Sequence, residues 1–173
     1  RNPPHPGWLK LFTLCISASL SLIVGEIAVR FYLYLARDIQ PTACRRDDPI
    51  LNHALVPNSS CRFKTKEWDI AFTVNSLGMR DQAYQSTKSP GVYRILLLGD
   101  SFAEGYGVEE SQTYQAILEN RLGAHVEILN AGVQSYSPHL EYLYLVNQGL
   151  ALQPDLVLLN LDLTDFSDEQ RYL

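Results

Sequence analysis

A chain of 173 residues offers enough sequence for about one ordinary domain, since domains run to about 100–200 residues. An apolar fraction of 46% and a charged fraction of 19% suit a protein with a buried core and exclude a chain that is disordered throughout. The net charge of −5 hides an asymmetry, because residues 1–94 carry 12 Lys and Arg against 7 Asp and Glu, whereas residues 95–173 carry 2 against 12. Nucleic-acid phosphates are bound by Lys and Arg, of which the acidic residues 95–173 contain few. We therefore expect no nucleic-acid partner.

The first element in the chain is an apolar stretch at residues 11–29. It contains nineteen residues with one ionisable side chain, Glu26. As a helix it would span about 28 Å, close to the roughly 30 Å hydrocarbon core of a bilayer. Glu26 precedes Arg30 by four residues, the favourable order for an ion pair on one helix face near the membrane surface. Aromatic and basic residues that suit the interfaces flank the stretch: Trp8, Lys10, Phe31, Tyr32 and Tyr34.

We therefore predict an N-terminal flank and a transmembrane helix within residues 1–35, with the lipid bilayer as a partner. A cleaved signal peptide is the alternative, although no small-residue cleavage motif follows the apolar stretch.

The basic residues and the cysteines predict opposite locations for the chain that follows the apolar stretch. Basic residues are more numerous after the apolar stretch than before it, which would place the following chain in the cytoplasm. In contrast, Cys44 and Cys61 flank a polar stretch and can close a disulfide, which requires an oxidising compartment such as a periplasm. Two free thiols are the alternative. We expect a single-pass protein of the inner (plasma) membrane whose globular part is periplasmic.

Residues 36–91 have no long period and contain many turn-forming residues. A β-rich run at residues 68–74 is followed by a turn signal at residues 75–78. We predict a β-containing connector that lies on the globular domain.

In residues 92–173, short apolar runs alternate with helical segments. Predicted strands cover residues 93–98, 126–129 and 156–161, and predicted helices cover residues 113–122 and a segment that begins at Ser137 and Pro138. This alternation is typical of right-handed βαβ units in a parallel sheet. Since ligands of such sheets bind where the strands end, the loops at Gly99, Asn130 and Asp162 should face one site.

The first of these loops contains the tripeptide Gly99-Asp100-Ser101. A serine just past a buried strand and before a helix lies on a rigid turn near backbone N–H groups, which suits a nucleophile whose attack creates an oxyanion. Three residues alone are a weak signal, and the context has to support them. No Lys followed by Ser or Thr comes after the glycines, as a P-loop for phosphate would require.

In that context the chain resembles the SGNH (GDSL-like) hydrolases of the membrane-anchored bacterial type. The matching segments are residues 99–101 with Gly105 for the first block, residues 130–133 with 136–138 for the second, residues 154–159 before the third, and residues 75–80 upstream of the catalytic domain. The resemblance extends over about residues 49–168.

The resemblance implies an α/β fold with an N-terminal transmembrane helix and a partial flavodoxin-like (SGNH-type) three-layer α/β/α domain with a parallel sheet. It implies Ser101 as the catalytic nucleophile, with the backbone N–H groups of Ser101 and Gly132 in an oxyanion hole. Thr164 stands where the family has the Asn that completes this hole, and a Thr hydroxyl can donate one hydrogen bond. The residues expected to support the site are Asp100, Asn130 and Asp165.

The catalytic Asp and His of the family come from a block well after the third strand. None of the histidines here occupies the matching position, and a serine hydroxyl without a general base is a poor nucleophile. His139, at the start of the second predicted helix, fits a capping or solvated residue better than a base. Residues 95–173 supply three strands where a flavodoxin-like sheet has about five. We therefore expect the front part of such a domain, truncated before the Asp/His block, with further chain or a partner at its open edge strand.

Two functions remain consistent with these residues. One is a membrane-anchored serine esterase or O-acyl transferase acting on acyl esters of a glycan or lipid. The other is a catalytically incomplete accessory subunit of a larger membrane complex, which Thr164 and the small residues of the apolar stretch permit. Neither function requires a cofactor. The acidic residues Asp162, Asp165, Asp168 and Glu169 match no metal-binding loop, and we expect a solvated acidic loop there without a metal.

Overall fold

The structure, a computed structural model, describes residues 7–35 and 38–172, with side chains described up to residue 170. Residues 1–6 of the predicted N-terminal flank, residues 36 and 37 of the predicted connector, and Leu173 lie outside the described residues. The chain divides into two compact units, Arg1–Asp38 and Ile39–Leu173.

The first unit contains one long helix, α1 (Gly7–Leu35), of 29 residues. It has a stretch with a mean hydropathy of 2.0, so that by length and composition this helix can cross a membrane. The predicted Glu26–Arg30 ion pair is confirmed, with 2.7 Å between Arg30 Nε and Glu26 Oε1. The helix extends past both ends of the apolar stretch at residues 11–29, since residues 7–10 and 30–35 contain no proline to end it.

The second unit begins with two antiparallel hairpins. Strand β1 (Arg45–Asp48) pairs with β2 (Asn52–Leu55), and β3 (Ser60–Lys64) pairs with β4 (Asp69–Thr73). A disulfide joins Cys44, just before β1, to Cys61 in β3, with 6.1 Å between the Cα atoms. Of these strands only β4 was predicted from the sequence.

A parallel sheet of three strands follows, in the order β6-β5-β7. The strands are β5 (Tyr93–Leu98), β6 (Val126–Asn130) and β7 (Leu156–Leu159), and the helices are α2 (Ser101–Glu104), α3 (Tyr114–Leu122), α4 (Pro138–Asn147) and α5 (Asp165–Tyr172). The predicted parallel sheet is confirmed, and β7 ends two residues before the predicted strand does. Ser137 precedes α4 as predicted, although its side chain makes no capping hydrogen bond.

The central strand β5 is buried on both faces, which explains its unbroken apolar run. Leu96 and Leu98 belong to a core that also contains Phe63 and Phe72 of the second hairpin. On the opposite face lies a smaller cluster made of Ile95, Leu97, Ala103 and Ile128. The hairpins thus share a core with the sheet.

Strand β7 is much less covered than β5. Leu156, Leu158 and Leu159 are 45%, 39% and 46% exposed. Among the described residues β7 pairs with β5 alone, so that its other edge is open.

Candidate functional site

Ser101 is the first residue of α2, directly after the turn that ends β5. Asp100 caps this helix, because its Oδ1 accepts a hydrogen bond of 2.9 Å from the Phe102 N–H. The Ser101 hydroxyl donates to Asp100 Oδ2 over 3.3 Å. Burial raises the pKa of Asp100, the Phe102 N–H lowers it, and the charge of Asp162 raises it further.

The loops after the three parallel strands meet, as their position at one sheet edge predicts. The Val133 N–H donates to Gly99 O over 3.1 Å and brings the loop after β6 against the loop after β5. The Thr164 hydroxyl lies 3.4 Å from Asp100 Oδ2 and 2.7 Å from Asp162 Oδ1. The sequence-predicted residues of the first and third loops are therefore in direct contact.

Gly132 and Asn130 fix the middle loop against α2. A Cβ atom at Gly132 would lie 2.6 Å from both Ala103 Cβ and Glu104 N, so this position requires glycine. The fully buried Asn130 side chain donates to Ala103 O over 2.7 Å and accepts the Gly132 N–H over 3.0 Å. Asn130 thereby joins two loops through one amide.

Two of the three predicted oxyanion donors already have acceptors. The Gly132 N–H is bonded to Asn130 Oδ1, and the Thr164 hydroxyl is bonded to Asp162. Each would have to exchange its acceptor before it could bind an oxyanion. The Ser101 N–H interacts with the Asp100 carboxylate and lowers the pKa of that group.

Arginines of the connector brace the short helix that carries Ser101. Arg45 Nη2 donates to both oxygens of Glu104, at 2.8 and 2.7 Å, and Glu104 is 1% exposed. Burial raises the pKa of Glu104, and the charge of Arg45 opposes that shift. Arg80, also buried, donates to Glu104 O, Gly105 O and Val108 O. The connector therefore holds the end of α2 and the loop beyond it.

Four carboxyl groups collect beside Ser101. One oxygen from each of Asp100, Asp162 and Asp165 lies within 4.8 Å of the other two. Glu141 of α4 is 1% exposed, and burial, together with the charges of these three groups and of Glu169, raises its pKa to about 8. Burial likewise raises the pKa of Asp165, whereas hydrogen bonds from Thr164 lower the pKa of Asp162.

The expectation of a solvated acidic loop was wrong. Asp165 is 4% exposed and Asp168 is 7% exposed. The reason is that Asp165 begins α5 and turns inward, where its Oδ2 accepts the Asp162 N–H over 2.7 Å. Glu169 accepts the backbone N–H of His139 over 3.1 Å and so links α5 to the start of α4.

The histidines with described positions are His53, His125 and His139. The His53 Nε2 atom lies 2.8 Å from Gln134 O, and the His53 ring packs edge-on against Tyr136 with 5.2 Å between ring centres. His139 lies in the first turn of α4, and His125 precedes β6 at the opposite end of that strand from Asn130. The hydrogen bond of the Ser101 hydroxyl goes to Asp100.

An apolar cavity of about 280 Å³ opens beside Ser101. Its lining residues are Ser101, Phe102, Gly105, Tyr106, Val108, Gln112, Thr113 and Tyr114. Most of the wall consists of side chains without charge, so that an apolar group fits next to the hydroxyl.

Sequence reasoning missed Arg45, Glu104 and Glu141. The local sequence around Arg45 does not indicate its partner Glu104, which lies 59 residues further along the chain. For Glu141 the sequence does contain an indication of burial, because this residue lies between Leu140 and Leu143 in a helix with few other polar residues.

Comparison of the sequence with known protein families and with curated proteins finds no match. Function is therefore inferred from the site itself.

Proposed function

We propose that the chain is a membrane-anchored serine esterase or O-acyl transferase with a partial flavodoxin-like domain of the SGNH type. The observation that carries the proposal is the position of Ser101, which begins a helix after the central parallel strand, beside an apolar cavity. A nucleophile at such a turn has backbone N–H groups near the oxygen on which charge develops.

In the proposed reaction Ser101 Oγ attacks the acyl carbon of an ester and forms a new C–O bond. The bond from the acyl carbon to the alcohol oxygen breaks, and the alcohol leaves with a proton. Water or an acceptor hydroxyl then attacks the acyl-enzyme and restores the serine hydroxyl. A general base has to take the Ser101 proton, and the family resemblance assigns that role to a histidine after the third strand.

The cavity argues for a small acyl group. Its volume of about 280 Å³ lies just below the range of about 300–1,000 Å³ that is usual for ligand pockets. We expect acetyl and butyryl esters to be better substrates than octanoyl esters, as measured by kcat/KM in a chain-length series.

The disulfide supports an extracytoplasmic location. Cys44–Cys61 requires an oxidising compartment, and α1 suits an anchor in the inner membrane. A periplasmic enzyme with one membrane helix would act on acyl esters of a glycan or lipid at the membrane surface.

A specific observation favours a second function, that of a catalytically incomplete accessory subunit. The Gly132 N–H and the Thr164 hydroxyl are bonded within the protein, and the Ser101 hydroxyl is bonded to a carboxyl group. A subunit that does not catalyse a reaction needs no hydrogen-bond donors available for an oxyanion. Such a subunit would be recovered in complex with other membrane proteins.

Labelling by a fluorophosphonate probe tests the esterase. The full chain in detergent should become modified at Ser101, as located by peptide mass spectrometry, and Ser101→Ala should abolish labelling. Ser111→Ala, which changes an exposed serine in the nearby loop, is the matched control and should label normally. Full-length protein that stays unlabelled while a known serine esterase reacts would exclude the enzyme and leave the accessory subunit.

A further inference from the structure

The four carboxyl groups beside Ser101 have a charge that the described residues do not balance. Among the side chains described, no Lys, Arg or His forms an ion pair with Asp100, Asp162, Asp165 or Glu141. Buried charges in proteins are paired or coordinate metals, because an isolated charge in a low-dielectric interior is costly.

Glu141 gives an observation independent of the three aspartates. It comes from a different helix, is 1% exposed, and neither of its carboxylate oxygens has a hydrogen-bond partner. The charges that act on it most strongly are those of Asp165, Asp100 and Asp162, the three aspartates of the cluster. Buried oxygens of Asp162 (Oδ2) and Asp165 (Oδ1) lack partners as well. Unsatisfied acceptors of this kind are rare in native proteins and mark a missing donor or ion.

We propose that Asp100, Asp162 and Asp165, together with Glu141, bind a divalent cation that prefers oxygen ligands, with Ca²⁺ as the best fit. Carboxylate oxygens are the usual protein ligands of Ca²⁺, at about 2.3–2.6 Å, so that two ligands on opposite sides of the ion are about 4.6–5.2 Å apart. One oxygen from each of the three aspartates lies within 4.8 Å of the other two. Ca²⁺ also tolerates an irregular set of ligands, whereas Mg²⁺ requires a nearly ideal octahedron.

A cation at this position would also affect the turn that carries Ser101. Asp100 is both a proposed ligand and the acceptor of the Ser101 hydroxyl, and Thr164 reaches the same carboxyl group. A bound cation would fix the loop after β7 onto the turn that carries Ser101. The cation site does not depend on esterase activity, since its ligands exist whether or not Ser101 reacts.

Thermal unfolding of the full chain in detergent tests the site. After treatment with a chelator, Ca²⁺ at about 100-fold excess over its Kd should raise Tm by about 5 °C or more. Asp162→Asn and Glu141→Gln should each lose most of that rise. Asp47→Asn, which removes an exposed carboxylate on β1, is the matched control and should keep it.

Terbium luminescence tests the same site without a ligand variant. The charges of Asp100 and Glu141 act on Tyr114, and we expect this side chain to sensitise Tb³⁺ bound at the site. Emission should appear on titration with Tb³⁺, fall on addition of Ca²⁺, and be lost in Tyr114→Phe.

Two results would overturn the cation site: no Ca²⁺-dependent change in either measurement, or a Ca²⁺ effect that Asp162→Asn and Glu141→Gln retain in full. Neither result bears on fluorophosphonate labelling at Ser101, so that failure of the cation site and failure of the esterase remain distinguishable.

Discussion

Gly132 shows how tightly the middle loop approaches the helix that carries Ser101. Its missing side chain leaves room for Ala103 and for the Glu104 N–H, and a methyl group there would overlap both. We expect Gly132→Ala to lower the free energy of unfolding by about 1–3 kcal/mol, the usual cost of overpacking. Chemical denaturation of the full chain measures this loss.

Gly25→Ala is the control for that experiment, because a Cβ atom at Gly25 meets no other atom within 4 Å. An unchanged stability in Gly132→Ala would mean that the loop does not approach α2 as closely as described.

Asp81 links the connector to the end of β6. Its Oδ2 accepts the Asn130 N–H over 2.8 Å, and its Oδ1 accepts the Gln82 N–H. Burial raises the pKa of Asp81 to about 8, although these N–H donors lower it. The folded protein therefore holds a proton here at pH values where the unfolded chain has lost it.

The sign of the resulting pH dependence follows from that difference. Between about pH 4 and about pH 8 the folded state binds more protons at Asp81, so that stability falls as the pH rises through this window. We expect the wild type to lose more stability than Asp81→Asn between about pH 5 and about pH 8 in parallel denaturation series. Equal slopes for the two proteins would show that Asp81 is ionised throughout.

At the scale of elements, an ion pair joins the first hairpin to α2, the helix that carries Ser101. Arg45 on β1 reaches Glu104 at the end of α2, and both lie away from solvent. Arg45→Met would leave a buried carboxylate without its cation, a change that typically costs about 3–5 kcal/mol. We expect a lower free energy of unfolding and slower probe labelling at Ser101, because α2 loses its brace.

Arg62→Met is the matched control, since Arg62 pairs with Asp69 at the exposed surface of the second hairpin. Exposed pairs are worth about 0–1 kcal/mol, so this change should be small. Arg45→Met combined with Glu104→Gln should recover much of the loss, and a double variant as unstable as Arg45→Met alone would contradict the role of the pair.

The parallel sheet could be predicted from the sequence, whereas the first hairpin could not. Strands β5 and β6 are short apolar runs, each followed by a helical segment, and local composition suffices to find them. Strand β1 reads Arg-Arg-Asp-Asp, which has neither alternation nor β-branched residues. It forms a strand because the disulfide at Cys44 and the contact with Glu104 hold it there, and both depend on distant parts of the chain.

Part of the candidate site could likewise be predicted from the sequence, and part could not. Ser101, Asp100 and Thr164 follow strands in the sequence, so that their meeting at one edge was predictable from topology. The burial of Glu141 and Asp165 was not, because an acidic side chain on a helix is ordinarily solvated. Their burial results from the packing of α4 against α5, which no local pattern records.

For the molecule as a whole, the open edge of β7 affects how the protein associates in solution. Among the described residues the outer edge of β7 pairs with no other strand and lies beside half-exposed leucines, so that a neighbouring copy can extend the sheet by adding its own strand. We expect the full chain in detergent to self-associate as its concentration rises, as measured by light scattering, and Leu158→Lys to delay this. Leu122→Lys, at an exposed leucine on α3, should leave the onset unchanged.

If both variants behaved alike, association would start elsewhere. If Leu158→Lys alone stays dispersed, β7 is the template for strand exchange between copies, and a charge on that strand is the simplest way to obtain material concentrated enough for crystals.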